Sequence, residues 1–117
     1  QMSSLFFLAS QPYVFAATDM RAAFIECYGP NLTAVQVGML PHPQPTPAEV
    51  LVAITASSVN PIDWKTLDGS LKSFFPFSFP HVIGGDIVGR VTNCGAMACN
   101  SRFGLGDHVW ANLGVAA

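Results

Sequence analysis

Six consecutive residues, Asn60-Pro61-Ile62-Asp63-Trp64-Lys65, gather an amide, a carboxylate, an indole and an ammonium. An amide N–H and an ammonium are donors of the kind that a developing negative charge on a ligand oxygen needs. Each group also has a plainer use. Asn60 ahead of Pro61 is a good helix cap. Asp63 in a first helical turn favours the helix dipole, and most lysines, Lys65 included, can serve as solvated surface charge. One side chain can do both, so the two readings stand side by side. Asp86, beside Gly84 and Gly85, reads as structural rather than as a proton donor. Asp107, after Gly106, reads as a turn residue bonded to its own backbone. His42, His81 and His108 are dispersed and read as non-catalytic. Cys27, Cys94 and Cys99 are an odd, scattered set, which reads as reduced thiols rather than as a disulfide framework.

The elements that must position these groups follow from pattern. Arg21 to Tyr28 is a compact apolar run closed by Gly29-Pro30, an opening strand and turn. Ala34 to Leu40 puts Val35, Val37 and Met39 on one face and Gln36 and Gly38 on the other, a half-buried strand. Prolines at 41, 43, 45 and 47 make a stiff surface connection. Glu49 to Val59 alternates Val50, Val52, Ile54 and Ala56 with Leu51, Ala53, Thr55 and Ser57. Both faces are largely apolar, as in a buried strand. Pro61 at the first helical position predicts a short helix over Pro61 to Leu67, stopped at Gly69. Ser70 to His81 is an aromatic loop carrying Phe74, Phe75, Phe77 and Phe79, either core or the wall of an apolar pocket. Ile83 to Val91 reads as a strand interrupted by glycines, which mark bulges or close backbone approach. A turn at Phe103 to Asp107 leads into a last short strand, His108 to Ala111. The fold class is therefore mainly β with one short helix, consistent with a barrel of short strands.

Composition bounds the rest. At 117 residues the chain holds one small domain. Half of it is hydrophobic (50%) and only 10% is charged, which excludes a disordered polyampholyte. The formal net charge is −2, so no basic patch exists for nucleic acid. So few charges imply apolar surface meant to be covered. The apolar run Leu5 to Ala9 is far short of the ~20 residues of a membrane span. Residues 1–19 carry no Lys or Arg, unlike a signal or transit peptide. They read as an unstructured leader or upstream translation, with Met20 as the natural start.

Four pieces occur in order. They are Met20-Arg21-Ala22-Ala23, the Val59 to Lys65 segment, Pro80 to Val91 with its Gly84-Gly85-Asp86 and Gly89-Arg90-Val91, and Gly106-Asp107-His108-Val109. Together they resemble the catalytic domain of the medium-chain dehydrogenase/reductase family. The wording Asn-Pro-x-Asp-x-Lys is closest to its zinc-independent quinone oxidoreductase and trans-enoyl reductase branch. The resemblance implies a GroES-like partial β-barrel over residues 20–117, incomplete here, with the family's Rossmann domain absent from this chain. Gly104-Leu105-Gly106 lacks the third glycine and the helix of a dinucleotide fingerprint.

The activity so implied is hydride transfer from NADPH, held mainly on the Rossmann domain, to a quinone or an α,β-unsaturated carbonyl. Asn60 and Lys65 are then the groups that meet the reacting oxygen. Ile62, Asp63, Trp64 and Lys65 line the cofactor side of the cleft. Asn60 and Gly85 stand where zinc alcohol dehydrogenases place a cysteine and a histidine ligand, so no zinc is expected. The resemblance allows a homodimer of the full-length enzyme, with no nucleic-acid or membrane partner, and the thiols read as reduced point to the cytoplasm. Two other readings compete: a truncated, non-catalytic binding module with a GroES-like fold, and a GroES-like co-chaperone, for which the Asn60 to Lys65 segment has no use.

Overall fold

A computed structural model describes residues 19–30, 32–99 and 102–114. The expectation for the leader lies outside these residues apart from Asp19. Among the described residues six strands form two antiparallel three-stranded sheets. The first has the order β2-β1-β4, from β1 (Met20–Ile25), β2 (Gln36–Leu40) and β4 (His81–Val82). The second has the order β3-β5-β6, from β3 (Val50–Ser57), β5 (Asp86–Cys94) and β6 (His108–Asn112). The helix α1 spans Pro61–Leu67, the range that Pro61 and Gly69 predict. Gly69 ends it with φ +79, and any Cβ there would press on the Tyr28 side chain at 3.1 Å.

The core lies on one side of the second sheet. Val50, Val52, Ile87 and Val91 are buried there with Ala98. On the first sheet the buried pair is Phe24 and Ile25, and α1 contributes Leu67. Burying each aliphatic side chain is worth about 2 kcal/mol against leaving it in water. A backbone bond from Gly29 N–H to Leu67 O, 3.0 Å, ties the end of α1 to the chain leaving β1.

The structure departs from the pattern-based reading in several places. There is a second short helix, α2 (Ala96–Cys99), and a 3₁₀ turn at Leu32–Ala34. The β2 alternation is real, but its apolar face is outside: Val37 and Met39 are exposed, and Gly38 faces the Phe24 ring. A Cβ at Gly38 would lie 3.3 Å from that ring, so the glycine makes room for it. Strand β3 is buried only at Val50, Leu51 and Val52, and from Ala53 to Ser57 it is exposed. Its pairing with β5 shifts register at Leu51/Val52 and again at Ile54/Ala56, irregularities of the kind that bend and twist a strand. The glycine-rich strand starts at Asp86 rather than Ile83, and the aromatic loop ends in β4. Gly89 is the close approach that the glycine pattern foretold. A Cβ there would run into the Ala53 carbonyl and the Val52 side chain across the β3–β5 pair.

The cysteines also differ from expectation. Cys94, at the end of β5, and Cys99, at the end of α2, are joined as a disulfide with Cα atoms 5.6 Å apart, and Cys27 is free and exposed. The pair lies five residues apart, on either side of the turn into α2, which folds back against the proline-rich connection. The N–H groups of Met97 and Ala98 donate to Pro47 O at 2.9 and 3.1 Å.

Candidate functional site

The exposed end of β3, the start of α1, the start of β5 and the end of β6 meet at one carboxylate. Asp86 Oδ2 accepts hydrogen bonds from Ser58 Oγ at 2.8 Å and from Asn60 Nδ2 at 2.7 Å. Its Oδ1 accepts from Asn112 Nδ2 at 2.6 Å. Its main-chain carbonyl takes the Ser57 hydroxyl at 2.8 Å. The β5–β6 register places Asp86 directly opposite Asn112, which is why these two meet. Three hydrogen bonds to the charged form, led by Ser58, then Asn60 and Asn112, hold the Asp86 carboxyl below the usual carboxylate range.

The first turn of α1 is closed by Asp63. Its carboxylate accepts the Asn60 N–H at 2.6 Å, and its own N–H reaches the Asn60 carbonyl at 3.0 Å. The reciprocal pattern of a capping box is what Asn60 and Asp63, three residues apart, are spaced to make. Beside this turn a depression is lined by Asp63, Thr66, His81 to Gly85 and Gly114. Thr66 is buried, with its hydroxyl donating to Ile62 O at 2.9 Å. His81 packs on Phe77, ring centroids 4.3 Å apart, and its burial pushes the imidazole below its ordinary value.

Of the residues singled out in sequence, Asn60 and Asp63 come together at the head of α1. Ile62, Trp64 and Lys65 are exposed and lie outside the depression. The Lys65 ammonium sits 5.6 Å over the Trp64 ring. Phe74 and Phe75 are exposed rather than core, while Phe79 packs edge-on to Tyr28 at 5.0 Å. Ser58 and Asn112 went unnoticed in sequence. No local signal marks either one, because their meeting with Asp86 is a product of strand pairing. Gly85 is tightly placed: a Cβ would lie 3.0 Å from the Gly114 carbonyl oxygen, so Gly114 would have to give by a few tenths of an ångström. Among the described residues no group of three or more His, Cys, Asp or Glu side chains is arranged to hold a metal. No helix among them is long and apolar enough to cross a membrane.

Comparison with known proteins matches residues 46–116 to the family described as the alcohol dehydrogenase GroES-like domain. The chain belongs to that family. It therefore sits among the medium-chain dehydrogenases/reductases, on the quinone oxidoreductase side. The chloroplastic quinone-oxidoreductase homolog of Spinacia oleracea is 37% identical over 98 residues, covering 84% of this chain and 29% of the relative. Among solved structures, mycobacterial Rv1454c complexed with NADPH superposes with a TM-score of 0.67 at 29% identity. The match covers 80% of this chain and 28% of that one. A cobalt- and zinc-bound thermostable alcohol dehydrogenase from Pyrobaculum aerophilum gives a TM-score of 0.68 at 28% identity, over 80% of this chain and 26% of that one. The chain thus spans less than a third of the length of the curated relatives it matches.

Proposed function

We propose that this GroES-like domain forms the substrate side of an NADPH-dependent, zinc-independent oxidoreductase that reduces quinones or α,β-unsaturated carbonyls. The observation that carries the reading is the head of α1. There Asn60 is locked to Asp86, with Lys65 exposed one turn further on. NADPH would supply the hydride. Ile62, Trp64 and Lys65 are exposed and so available to the cofactor or substrate, whereas Asp63 is already engaged by the Asn60 N–H. Lys65 offers an ammonium to a substrate oxygen that gains negative charge.

Independence from zinc belongs to the same proposal. Asn60 and Gly85 occupy the positions at which the resemblance places a cysteine and a histidine ligand. The Asn60 amide is tied to Asp86, and a Cβ at Gly85 would lie 3.0 Å from the Gly114 carbonyl oxygen. A structural neighbour carries zinc, so metal content is a direct check. The earlier expectation of a cytoplasmic setting rested on reduced thiols, and the paired Cys94 and Cys99 remove that ground. The test is NADPH oxidation by the full-length protein with p-benzoquinone and with a simple enone, alongside elemental analysis. Turnover without bound metal is the expected result. Stoichiometric zinc, or no turnover of either acceptor, would overturn the reading.

A further inference from the structure

The Cys94–Cys99 pair lies far from the candidate site. Strand β5 has Asp86 as the first of its nine residues and Cys94 as the last. At ~3.3 Å per residue the pair is roughly 26 Å along the strand from the Asp86 hub. Its two sulfurs are not equivalent. Cys94 is half-buried and packs against the core of Val50, Val52, Ile87 and Val91, whereas Cys99 is exposed. Helix α2, which ends at Cys99, has four residues and is too short to persist on its own hydrogen bonds. Met97 and Ala98 N–H groups donate to Pro47 O at 2.9 and 3.1 Å, Ala98 is buried, and the bridge ties the helix end to β5. The Gly95 N–H donates to Glu49 O at 2.9 Å, and the Glu49 carboxylate accepts the Thr46 N–H at 2.7 Å. The 46–49 turn and α2 are thus one hydrogen-bonded unit, with the bridge across its open end.

We propose that this pair is a site of reversible thiol–disulfide exchange with an external dithiol, and that its state decides how firmly α2 is latched to the Pro47 turn. A thiolate of the dithiol attacks the exposed Cys99 sulfur, the Cys94–Cys99 bond breaks, and Cys94 leaves as a thiolate that takes up a proton. The second thiol of the dithiol then attacks the mixed disulfide at the dithiol's own sulfur and releases Cys99. Two electrons and two protons pass to the pair, which ends as two thiols, and the dithiol ends as a disulfide. A disulfide reagent runs the same steps backwards. In the reduced state α2 keeps its bonds to Pro47 O but loses the ring closure, so it opens more often and takes Ala98 off the core.

The probes are dithiothreitol and oxidised glutathione, applied to the full-length protein without denaturant. Alkylation and peptide mass analysis count the thiols at Cys94 and Cys99, and hydrogen exchange follows the Met97 and Ala98 amides. Neither cysteine is expected to alkylate before dithiothreitol, both after it, and neither again once oxidised glutathione has replaced it. Reduction is expected to speed exchange at Met97 and Ala98 about thirtyfold, the weight of closing so short a ring, and to leave the β5–β6 amides nearly unchanged. Cys94→Ser and Cys99→Ser should each exchange like the reduced protein and ignore dithiothreitol. Oxidised glutathione should attach faster to Cys99 in Cys94→Ser than to Cys94 in Cys99→Ser. A pair that yields only after unfolding is a fixed bridge, and a pair that glutathione cannot close forms no bridge; either result overturns the exchange site. Opening with unchanged exchange at Met97 and Ala98 overturns the latch. Faster attachment at Cys94 overturns the order of attack.

Discussion

Lys65 is the only cation on α1, and it shares that helix with Asn60's cap and with the Trp64 ring that its ammonium overhangs at 5.6 Å. Asn60's N–H groups are committed to Asp86 and Ser58, so the burden of meeting negative charge falls on Lys65. Lys65→Ala is therefore expected to lower kcat with a quinone acceptor by roughly tenfold or more, since lost oxyanion donors cost at least that. Its melting temperature should stay near wild type because the side chain is exposed. Unchanged kinetics would remove Lys65 from the site. His81 makes a second residue-level prediction. Its folded-state value is depressed by burial, so the unfolded chain takes up a proton first as the pH falls. Stability from neutral His81 is thus full above about pH 6.5, the free imidazole value, and is lost as pH drops below it. Melting temperatures between about pH 7.5 and pH 5 should fall in wild type and fall less in His81→Phe. Equal slopes would refute this. At this scale Asn60 and Asp63 were legible, because a cap and its partner three residues on are a local pattern. The hub at Asp86 was not, since Ser58, Asn60, Asp86 and Asn112 are joined by strand pairing that no local window contains.

At the scale of elements, α1 was readable to the residue because proline and glycine punctuate both its ends. Strands were readable as strands but not as to which face lies inside. Period-two alternation in β2 says only that Val37 and Met39 share a side, and the core chose Gly38 and Phe24 instead. In β3 an apolar composition on both faces predicted burial on both, yet only Val50 to Val52 is covered. Gly89 belongs to this scale because it is the place where β5 presses on β3. Gly89→Ala should destabilise the domain by about 3 kcal/mol, at the upper end for overpacking, because the blocking atom is the backbone oxygen of Ala53. A chemical denaturation midpoint equal to wild type would show that β3 yields instead. The Cys94–Cys99 bridge pins α2 to the end of β5, and it closes a ring only five residues apart in sequence. Loop-closure entropy for so short a ring is worth about 2 kcal/mol. Cys99→Ser, compared with wild type in the absence of reductant, should lose about that much, and added reductant should erase the difference. A variant as stable as the oxidised protein would mean that the bridge contributes nothing to folding.

For the molecule as a whole, burial is out of balance. Among the described residues nine hydrophobic side chains are buried, while fourteen large ones are exposed. Scattered apolar exposure is ordinary, but here some of it is contiguous. Val88 stands directly opposite Trp110 in the β5–β6 register, at 47% and 81% exposure, and Ala56 of β3 pairs with Val88 on the other side. With sheet orders β2-β1-β4 and β3-β5-β6, β2, β4, β3 and β6 are each a sheet edge among the described strands. Unpaired edges beside apolar patches are templates for association. The small charged fraction, 10% of the chain, supplies little to oppose it. The 117-residue chain by itself is therefore expected to associate at micromolar concentration, read as a concentration-dependent rise in sedimentation coefficient. Trp110→Lys should reduce that rise, because it puts a charge on the β6 edge and removes the largest exposed ring of the patch. A cooperative, concentration-independent melt of residues 20–117, with one monomeric boundary in sedimentation, would mean that these faces need no cover and that the apolar imbalance carries no cost.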